Sequence, residues 1–124
     1  MWTYVQRTGL LSLDGTAIAT GYSGFGEGKN RPELEQVHDV GPIPRGMWHI
    51  GAPMDITTIG PHGPFVLPLT PHIDTAVYGR SGFLIHGDSV QHAGSASHGC
   101  IILPRPIREE IAATGESELE VISS

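Results

Sequence analysis

Glycine and proline interrupt this sequence at short intervals along most of its length. The chain has 17 glycines and 10 prolines among its 124 residues. Glycine is costly inside helices and strands, and proline fixes φ and lacks a backbone N–H donor. The sequence therefore favours turns and short strands over long helices. We expect a mostly β domain, of the β-rich α+β class, with one or two short helices. The length predicts a single domain over residues 1–124.

Three apolar and β-branched runs open the chain, at residues 2–7, 10–13 and 16–22. Asp14 and Gly15 separate the second run from the third. Both positions of a type I′ hairpin turn need positive φ, which this pair of residues tolerates well. We therefore predict an antiparallel meander at the start of the fold.

Two segments carry helical signals. Pro32 is typical of the first position of a helix, and it begins a predicted helical turn over 32–37 that follows a glycine-rich loop. A longer helix is predicted over 105–114, with Gly115 as its C-terminal stop.

Strand signals return in the second half of the chain. Residues 52–71 are turn-rich but contain a predicted strand at 65–69. Pro68 within that strand indicates an edge position or a bulge, because it cannot donate to the ladder. Alternating apolar and acidic residues at 118–121 predict a short closing strand.

The charge and the termini exclude several classes of partner. A net charge of -6 argues against nucleic acid, which needs clustered basic residues to displace counterions. The start of the chain lacks the basic and apolar regions of a cleavable signal, and no apolar run approaches the ~20 residues of a membrane span. We therefore expect no membrane insertion, and a single cysteine leaves no internal disulfide.

The segment 86–104 concentrates the reactive side chains. It holds the single cysteine, Cys100, together with His86, His92 and His98. A thiol becomes a strong nucleophile when a neighbouring base or cation lowers its pKa, so Cys100 needs an imidazole within hydrogen-bond distance. His86 lies at a predicted strand end, with enough chain before Cys100 to fold back on it, and is the preferred base.

Small and polar residues precede the cysteine. Glycine, serine and alanine at 94–99 allow the backbone to approach a substrate carbonyl, and the N–H groups of Gly99 and Cys100 are the natural donors to an oxyanion. An isolated cysteine is usually a small buried hydrophobic residue. Because this setting is polar and rich in glycine, it favours a nucleophile instead.

A two-part motif in this segment resembles a known active site. His86-Gly87, followed by Ser97-His98-Gly99-Cys100-Ile101, resembles the signature of the YkuD-type L,D-transpeptidases, which modify peptidoglycan. Further segments resemble the small subgroup that includes type VI secretion effectors, at 21–24, 28–32, 41–46 and 100–103.

The resemblance implies a β-sandwich or barrel-like domain with a catalytic groove and no cofactor or metal. In such enzymes a cysteine attacks the bond after meso-diaminopimelate in a stem peptide and forms a thioester. Water resolves the thioester in a carboxypeptidase, whereas a D-amino acid or another stem resolves it in a transpeptidase. By position, Cys100 is the nucleophile, His86 the base, His98 and Gly99 shape the oxyanion side, and Ser97 has a supporting role.

Two departures from the family pattern leave roles open. The spacer between the two parts of the motif is short, so His92 competes with His86 as the base. Ile102 stands where many members have a polar residue. A contact to the substrate carboxylate must then come from elsewhere, and the candidates are Arg80, Arg45 and Arg105. The alternative is that these arginines are solvated surface charges.

Three residues in the family-like loops are candidates for lining the groove, namely Tyr22, Ser23 and Asn30. Together with Arg80 and His92 they form the predicted substrate-binding set. Asp88 either orients a histidine or caps its own turn, with the turn favoured.

Other functions compete with a cysteine enzyme. A zinc-dependent cell-wall peptidase would use ligands from His86, Asp88, His92 and His98, although their spacing matches no standard zinc motif. Outside the enzymes, the alternative is a non-catalytic module that binds peptidoglycan or is recognised by an immunity protein. Under the preferred hypothesis the protein is secreted without a cleavable signal and acts on stem peptides in the periplasm of a target bacterium, with an immunity protein as a partner.

Overall fold

The computed structural model describes residues 1–56 and 63–124. These residues form ten strands, two short 3₁₀ turns and one α-helix. The strands are β1 (Trp2–Val5), β2 (Leu10–Leu13), β3 (Thr16–Thr20), β4 (Tyr22–Ser23), β5 (Gly46–Ile50), β6 (Met54–Ile56), β7 (Gly63–Pro71), β8 (Leu84–His86), β9 (Ile101–Ile102) and β10 (Glu118–Ile122). The 3₁₀ turns span Gly26–Gly28 and Pro32–Leu34, and helix α1 spans Arg105–Thr114. The mostly β prediction is confirmed.

One curved sheet contains all ten strands. Its order is β3-β2-β1-β10-β5-β7-β8-β9-β4, and β6 pairs with β7 beside this path. The strands at its two ends, β3 and β4, are consecutive in the chain and are joined only by Gly21. The Gly21 N–H donates to the carbonyl of Gly9 at 2.8 Å. The sheet is therefore nearly closed, and one short connection ties its edges together.

The predicted opening meander is confirmed, because β1, β2 and β3 pair antiparallel in sequence order. Asp14 and Gly15 have φ values of 48° and 87°, as a type I′ turn requires. The third run is shorter than predicted. The strand β3 ends at Thr20, and Gly21 lies between the strands. Tyr22, the last residue of the predicted run, belongs to β4 at the opposite edge of the sheet.

The helix prediction over 105–114 is also confirmed, and Gly115 ends the helix with a φ of 72°. Ile107 and Ile111 pack toward the core from one face of α1. The predicted turn at 32–37 forms only the 3₁₀ turn Pro32–Leu34.

The closing strand is confirmed as β10, which lies inside the sheet between β1 and β5 and runs parallel to β1. The edge position predicted for Pro68 is wrong, because β7 pairs with β5, β6 and β8. The Pro68 carbonyl accepts from the Gly51 N–H at 2.8 Å, and the N–H and carbonyl of one strand residue point to the same side. The N–H that proline lacks would therefore also face Gly51, just beyond the end of β5, so no bond between two strands is lost. The part of the predicted turn-rich segment at 57–62 lies outside the described residues.

The core fills the inside of the curved sheet. Trp2, Trp48 and Leu119 have no exposed surface. Trp48 packs edge to face on Phe83, with ring centroids 5.0 Å apart. Because Phe83 immediately precedes β8, this contact ties the core to the strand that ends in His86. Among the described residues, no helix has the length and apolar composition needed to cross a membrane.

Candidate active site

Two neighbouring parallel strands present the cysteine and the preferred histidine. His86 is the last residue of β8, and Cys100 immediately precedes β9. The strands pair in register, with Ile85 opposite Ile101. His86 and Cys100 both line one open cavity of about 550 Å³. The other lining residues are His38, Asp39, Gly79, Arg80, Ser81, Gly82, Phe83, Ala96, His98 and Gly99.

The His86 ring is held in one tautomer. The side chain is only 3% exposed, and its Nδ1 lies 2.8 Å from the carbonyl oxygen of Gly87. A carbonyl oxygen only accepts hydrogen bonds, so Nδ1 carries the proton of the neutral ring. Nε2 is then the nitrogen that can accept a proton, as a general base requires.

The Cys100 thiol is nearly buried and is protonated at neutral pH. Its Sγ donates to the Gly82 carbonyl at 3.6 Å, and the residue is 9% exposed. Burial raises the pKa of the thiol to about 11, although a hydrogen bond from the Leu84 N–H and the positive charge of Arg80 oppose this rise. A base must therefore remove the proton before the sulfur can attack a carbonyl.

Ser97 fixes the turn that carries the cysteine. Its hydroxyl donates to the Cys100 carbonyl at 2.6 Å and accepts from the N–H groups of Gly24 at 2.9 Å and Gly99 at 3.1 Å. The serine has no exposed surface. The Gly99 N–H, one of the two predicted oxyanion donors, is thus already engaged by Ser97 in this structure.

Ser23 holds the same turn from the opposite side. Its hydroxyl donates to the Gly99 carbonyl at 3.0 Å and accepts from the Ile43 N–H at 2.9 Å. Asn30 holds Ser23 in turn, because its Oδ1 accepts from the Ser23 N–H at 3.2 Å. Neither Ser23 nor Asn30 lines the cavity that contains Cys100, although both were predicted to line the groove.

Arg80 lies beneath the turn rather than on the surface. It is 7% exposed and donates to four backbone carbonyls, those of Glu35 at 2.5 Å, Pro42 at 2.8 Å, Gly41 at 2.9 Å and His98 at 3.2 Å. With these donors engaged, the guanidinium is poorly placed to bind a substrate carboxylate.

Gly99 is required by this packing. It has a φ of 138°, and a Cβ added there would lie 2.5 Å from Nη2 of Arg80. Any side chain would therefore displace the guanidinium or the turn, and the backbone would be strained as well.

The two other arginine candidates lie outside the cavity. Arg45 pairs with the carboxylate of Glu35, with 2.8 Å between Nη2 and Oε2. Arg105 pairs with Glu109 at 3.3 Å on the exposed side of α1.

Two exposed histidines flank the cavity. Nδ1 of His98 lies 3.0 Å from the Asp39 carbonyl, and its ring stacks on Phe25 with centroids 4.9 Å apart. Nε2 of His38 lies 2.9 Å from the Tyr78 carbonyl. His98 thus lies at the rim of the cavity, and its predicted role on the oxyanion side stays a prediction.

Tyr22 and Asp88 secure the segment that follows His86. The Tyr22 hydroxyl donates to Oδ1 of Asp88 at 2.5 Å and accepts from the Ala96 N–H at 3.0 Å. The Asp88 carboxylate also accepts from the N–H groups of Ser89 at 2.8 Å and Gly94 at 3.0 Å. Asp88 therefore caps its own turn, the favoured prediction.

The ionisation of this pair fits its hydrogen bonds. Although partial burial opposes it, donation from Tyr22, Gly94 and Ser89 lowers the pKa of Asp88. Burial and the bond to Asp88 raise the pKa of Tyr22 to about 12. Tyr22 lines a second, smaller cavity of about 310 Å³ and not the cavity that contains Cys100.

His92 is not brought to the cysteine. It lies exposed in the segment that Asp88 caps and does not line the cavity of His86 and Cys100. The zinc ligand set is not assembled either. In the part of the chain that the structure describes, no three histidine, cysteine, aspartate or glutamate side chains are arranged to hold a metal ion.

Comparison with known proteins then identifies the family. The Tlde1 domain matches residues 17–122, which is most of the chain. The chain belongs to the Tlde1 domain family, the type VI L,D-transpeptidase effector family. No curated protein gives a significant match.

The fold of this Tlde1 domain is also similar to a solved structure. Mycobacterium tuberculosis L,D-transpeptidase 1 superimposes with a TM-score of 0.53 at 18% sequence identity. The match covers 98% of this chain and 60% of that chain. The likeness supports the predicted YkuD-type architecture.

Sequence reasoning missed several residues of this site. Asp39 and Phe83 line the cavity, and His38 had no role in the predicted site. Glu35 is 4% exposed and anchors Arg45 and, through its carbonyl, Arg80. These residues lie in segments that carry no motif, so their spacing gave no signal.

Proposed function

We propose that this protein is a cysteine acyl-transfer enzyme that acts on peptidoglycan stem peptides. The observation that carries the proposal is the placement of His86 at the end of β8 and of Cys100 immediately before its parallel neighbour β9, at one cavity, in a chain of the Tlde1 domain family. The family supports an L,D-transpeptidase-like activity on peptidoglycan. The cysteine chemistry and its outcome are our inference from the geometry.

In the first half of the reaction, Nε2 of His86 removes the proton from Sγ of Cys100. The sulfur attacks the carbonyl carbon of the bond that follows meso-diaminopimelate, and the carbonyl electrons move to oxygen. Backbone N–H groups near Cys100 stabilise this oxyanion. When the intermediate collapses, the C–N bond breaks, the histidine returns its proton to the leaving amine, and a thioester remains.

In the second half, an acceptor attacks the thioester and releases the cysteine. Water gives the shortened stem, which is L,D-carboxypeptidase activity. The amine of a D-amino acid or of another stem gives a new amide, which is L,D-transpeptidase activity with exchange. In either case His86 accepts the proton of the acceptor and the thiol is regenerated, so both outcomes use the same residues.

The resting protonation state agrees with this sequence of steps. With the thiol pKa raised to about 11 by burial, little thiolate exists at neutral pH without the base. Transfer of the proton to His86 is then coupled to substrate binding, which excludes water from the cavity.

The product analysis of muropeptides tests this function. Purified protein is incubated with tetrapeptide muropeptides, with and without an added D-amino acid, and products are identified by mass. We expect loss or exchange of the fourth residue with the natural protein and none with Cys100→Ala. His86→Gln should abolish the product, whereas His92→Gln, the matched control, should retain it.

Other outcomes point to other functions. Unchanged product from Cys100→Ala would contradict the mechanism, and loss of that product on chelation would favour a zinc peptidase. Binding of muropeptides without product from either protein would favour a non-catalytic module.

The site of action is a further part of the proposal. We propose that the protein is an antibacterial effector that acts in the periplasm of a target bacterium, where an immunity protein would neutralise it. The family supports the effector part of this proposal, and the periplasmic site and the immunity partner are our inference. Production of the chain with an added periplasmic signal should arrest growth, whereas cytoplasmic production or periplasmic Cys100→Ala should not; equal toxicity of all three would contradict it.

A further inference from the structure

A buried cation, the Arg80 guanidinium, binds the turn that carries the cysteine. All four hydrogen bonds that Arg80 makes to the described residues end on backbone carbonyls. The other buried arginine, Arg108, is held in the same way by Phe65, Leu103 and Pro64, but it does not line the cavity. Of these two buried arginines, only Arg80 lines the cavity that contains Cys100.

The carbonyls that hold Arg80 come from two parts of the chain. Glu35, Gly41 and Pro42 belong to the segment before β5, and His98 belongs to the turn that carries Cys100. The guanidinium also lies 5.2 Å from the centre of the Phe83 ring, which makes a cation–π contact. One side chain thus links the turn that carries Cys100 to the segment before β5 and to Phe83 in the cavity wall.

The positive charge is retained at this site. Burial lowers the pKa of Arg80, but a guanidinium stays protonated in proteins at neutral pH. Carbonyl dipoles orient the group without neutralising it, and partial exclusion of water strengthens its interaction with a nearby charge. A negative charge that forms on the sulfur therefore experiences its field.

We propose that Arg80 is a positioning residue that holds the Cys100 turn in place and supplies the positive charge that stabilises the cysteine thiolate. This inference rests on the proposed function and deepens it, because it assigns a second source of activation besides His86. It also replaces the predicted role of Arg80 as a ligand for a substrate carboxylate.

Several other charged or titratable groups face the same cavity. His86 comes from β8, His38 and Asp39 from the segment before β5, and His98 from the turn itself. The two rim histidines are exposed, and Asp39 carries the opposite sign. Substitution of Arg80 leaves these four ionisable side chains in the protein, so the difference between the methionine and lysine variants reports on the charge of Arg80.

The rate of alkylation of Cys100 by iodoacetamide tests the proposal. Only the thiolate reacts, the reagent is uncharged, and the chain has a single cysteine, so the rate follows the thiolate fraction. At a fixed pH below the thiol midpoint, Arg80→Met should slow the reaction about tenfold, because a nearby opposite charge shifts a pKa by at least about one unit. Arg108→Met is the matched control and should leave the rate unchanged.

The variant Arg80→Lys separates the positive charge of Arg80 from its hydrogen bonds to the Cys100 turn. Lysine keeps the positive charge but cannot donate to all four backbone carbonyls that Arg80 binds. The alkylation rate of Arg80→Lys should therefore be close to that of the natural protein, while its thermal stability should be lower. A rate as slow as that of Arg80→Met would contradict the charge role, and an unchanged rate in Arg80→Met would overturn the proposal. If the methionine variant does not fold, Arg80→Gln replaces it, and a large fall in Arg80→Lys still contradicts the proposal.

The alkylation assay contains no peptidoglycan. Its failure therefore speaks against the role of Arg80, whereas failure of the natural protein to modify muropeptides speaks against the proposed function.

Discussion

The hydroxyl of Ser97 donates a hydrogen bond of 2.6 Å to the carbonyl of Cys100, three residues later in the chain. The same oxygen accepts from the N–H groups of Gly24 and Gly99. One buried side chain therefore satisfies three backbone groups around Cys100. The position of the cysteine depends on this serine as well as on the strand that follows.

Ser97→Ala should destabilise the protein by about 2 kcal/mol or more, because it leaves buried backbone groups without a partner. Activity on muropeptides should fall further than stability alone explains, since the turn that carries the cysteine loses its support. Urea unfolding measures the first effect. Ser95→Ala is the control, because its exposed hydroxyl donates only to the His92 carbonyl, and it should change little. Equal unfolding free energies for the two variants would contradict this role.

The reactivity of Cys100 should rise steeply with pH. Because burial raises the thiol pKa to about 11, the thiolate fraction in the absence of substrate is small throughout the neutral range. The rate of alkylation by iodoacetamide should therefore increase about tenfold per pH unit between about pH 7 and pH 9. A plateau in this range would instead indicate a preformed thiolate and imidazolium pair, and would contradict the proton transfer that we propose.

Tyr22→Phe should loosen the segment that follows His86. The change removes one hydrogen bond to Asp88 and one from Ala96, each worth about 1 kcal/mol. Amide hydrogen exchange at Gly94 and Ala96 should accelerate several-fold. Tyr78→Phe is the control, because Tyr78 is exposed and its hydroxyl makes only a 3.3 Å contact with Glu35. Unchanged exchange in Tyr22→Phe would mean that Asp88 alone holds the segment.

Glu35 should make the fold sensitive to acid. Burial opposes its ionisation, but hydrogen bonds from Arg45 and Gln6 lower its pKa from 4.5 to about 2. A carboxyl group whose pKa is lower in the folded state stabilises that state at pH values above the pKa of the unfolded chain. This stability is lost as the pH falls from about 5 towards 2. The shift corresponds to roughly 3 kcal/mol.

Unfolding free energies at neutral and acidic pH test this expectation. Glu35→Gln should lose stability at neutral pH and depend less on acid than the natural protein. Glu33→Gln changes a 57% exposed neighbour that contacts Arg7 at 3.6 Å, and should follow the natural protein. The same acid dependence in all three proteins would exclude Glu35 as the source.

The sequence predicted features that depend on nearby residues. The Asp14-Gly15 turn, the helix over 105–114 and its stop at Gly115 all follow from local backbone preferences, and the structure contains each of them. The parallel pairing of β10 with β1 was not predictable in this way, because it joins the two ends of the chain. The edge position predicted for Pro68 was wrong because local preferences do not record which strands pair with β7.

The motif at 97–101 located the cysteine, and the strand pattern before it located His86. The supporting residues followed other rules. Arg80 was a candidate for the substrate because Ile102 replaces a polar residue of the family pattern, and Asn30 because it lies in a family-like loop. In the structure Arg80 binds backbone carbonyls and Asn30 binds the Ser23 N–H. These supporting roles depend on contacts between segments that are far apart in the sequence, so they could not be predicted from local sequence patterns.

Trapping of the covalent intermediate tests the central claim most directly. The protein is mixed with a tetrapeptide stem, quenched in acid and analysed by intact mass and peptide mapping. We expect a mass increase equal to the tripeptide acyl group, on Cys100, that hydroxylamine removes and that a D-amino acid acceptor diminishes. Turnover of the stem without any adduct on Cys100, or with an undiminished rate in Cys100→Ala, would contradict the mechanism.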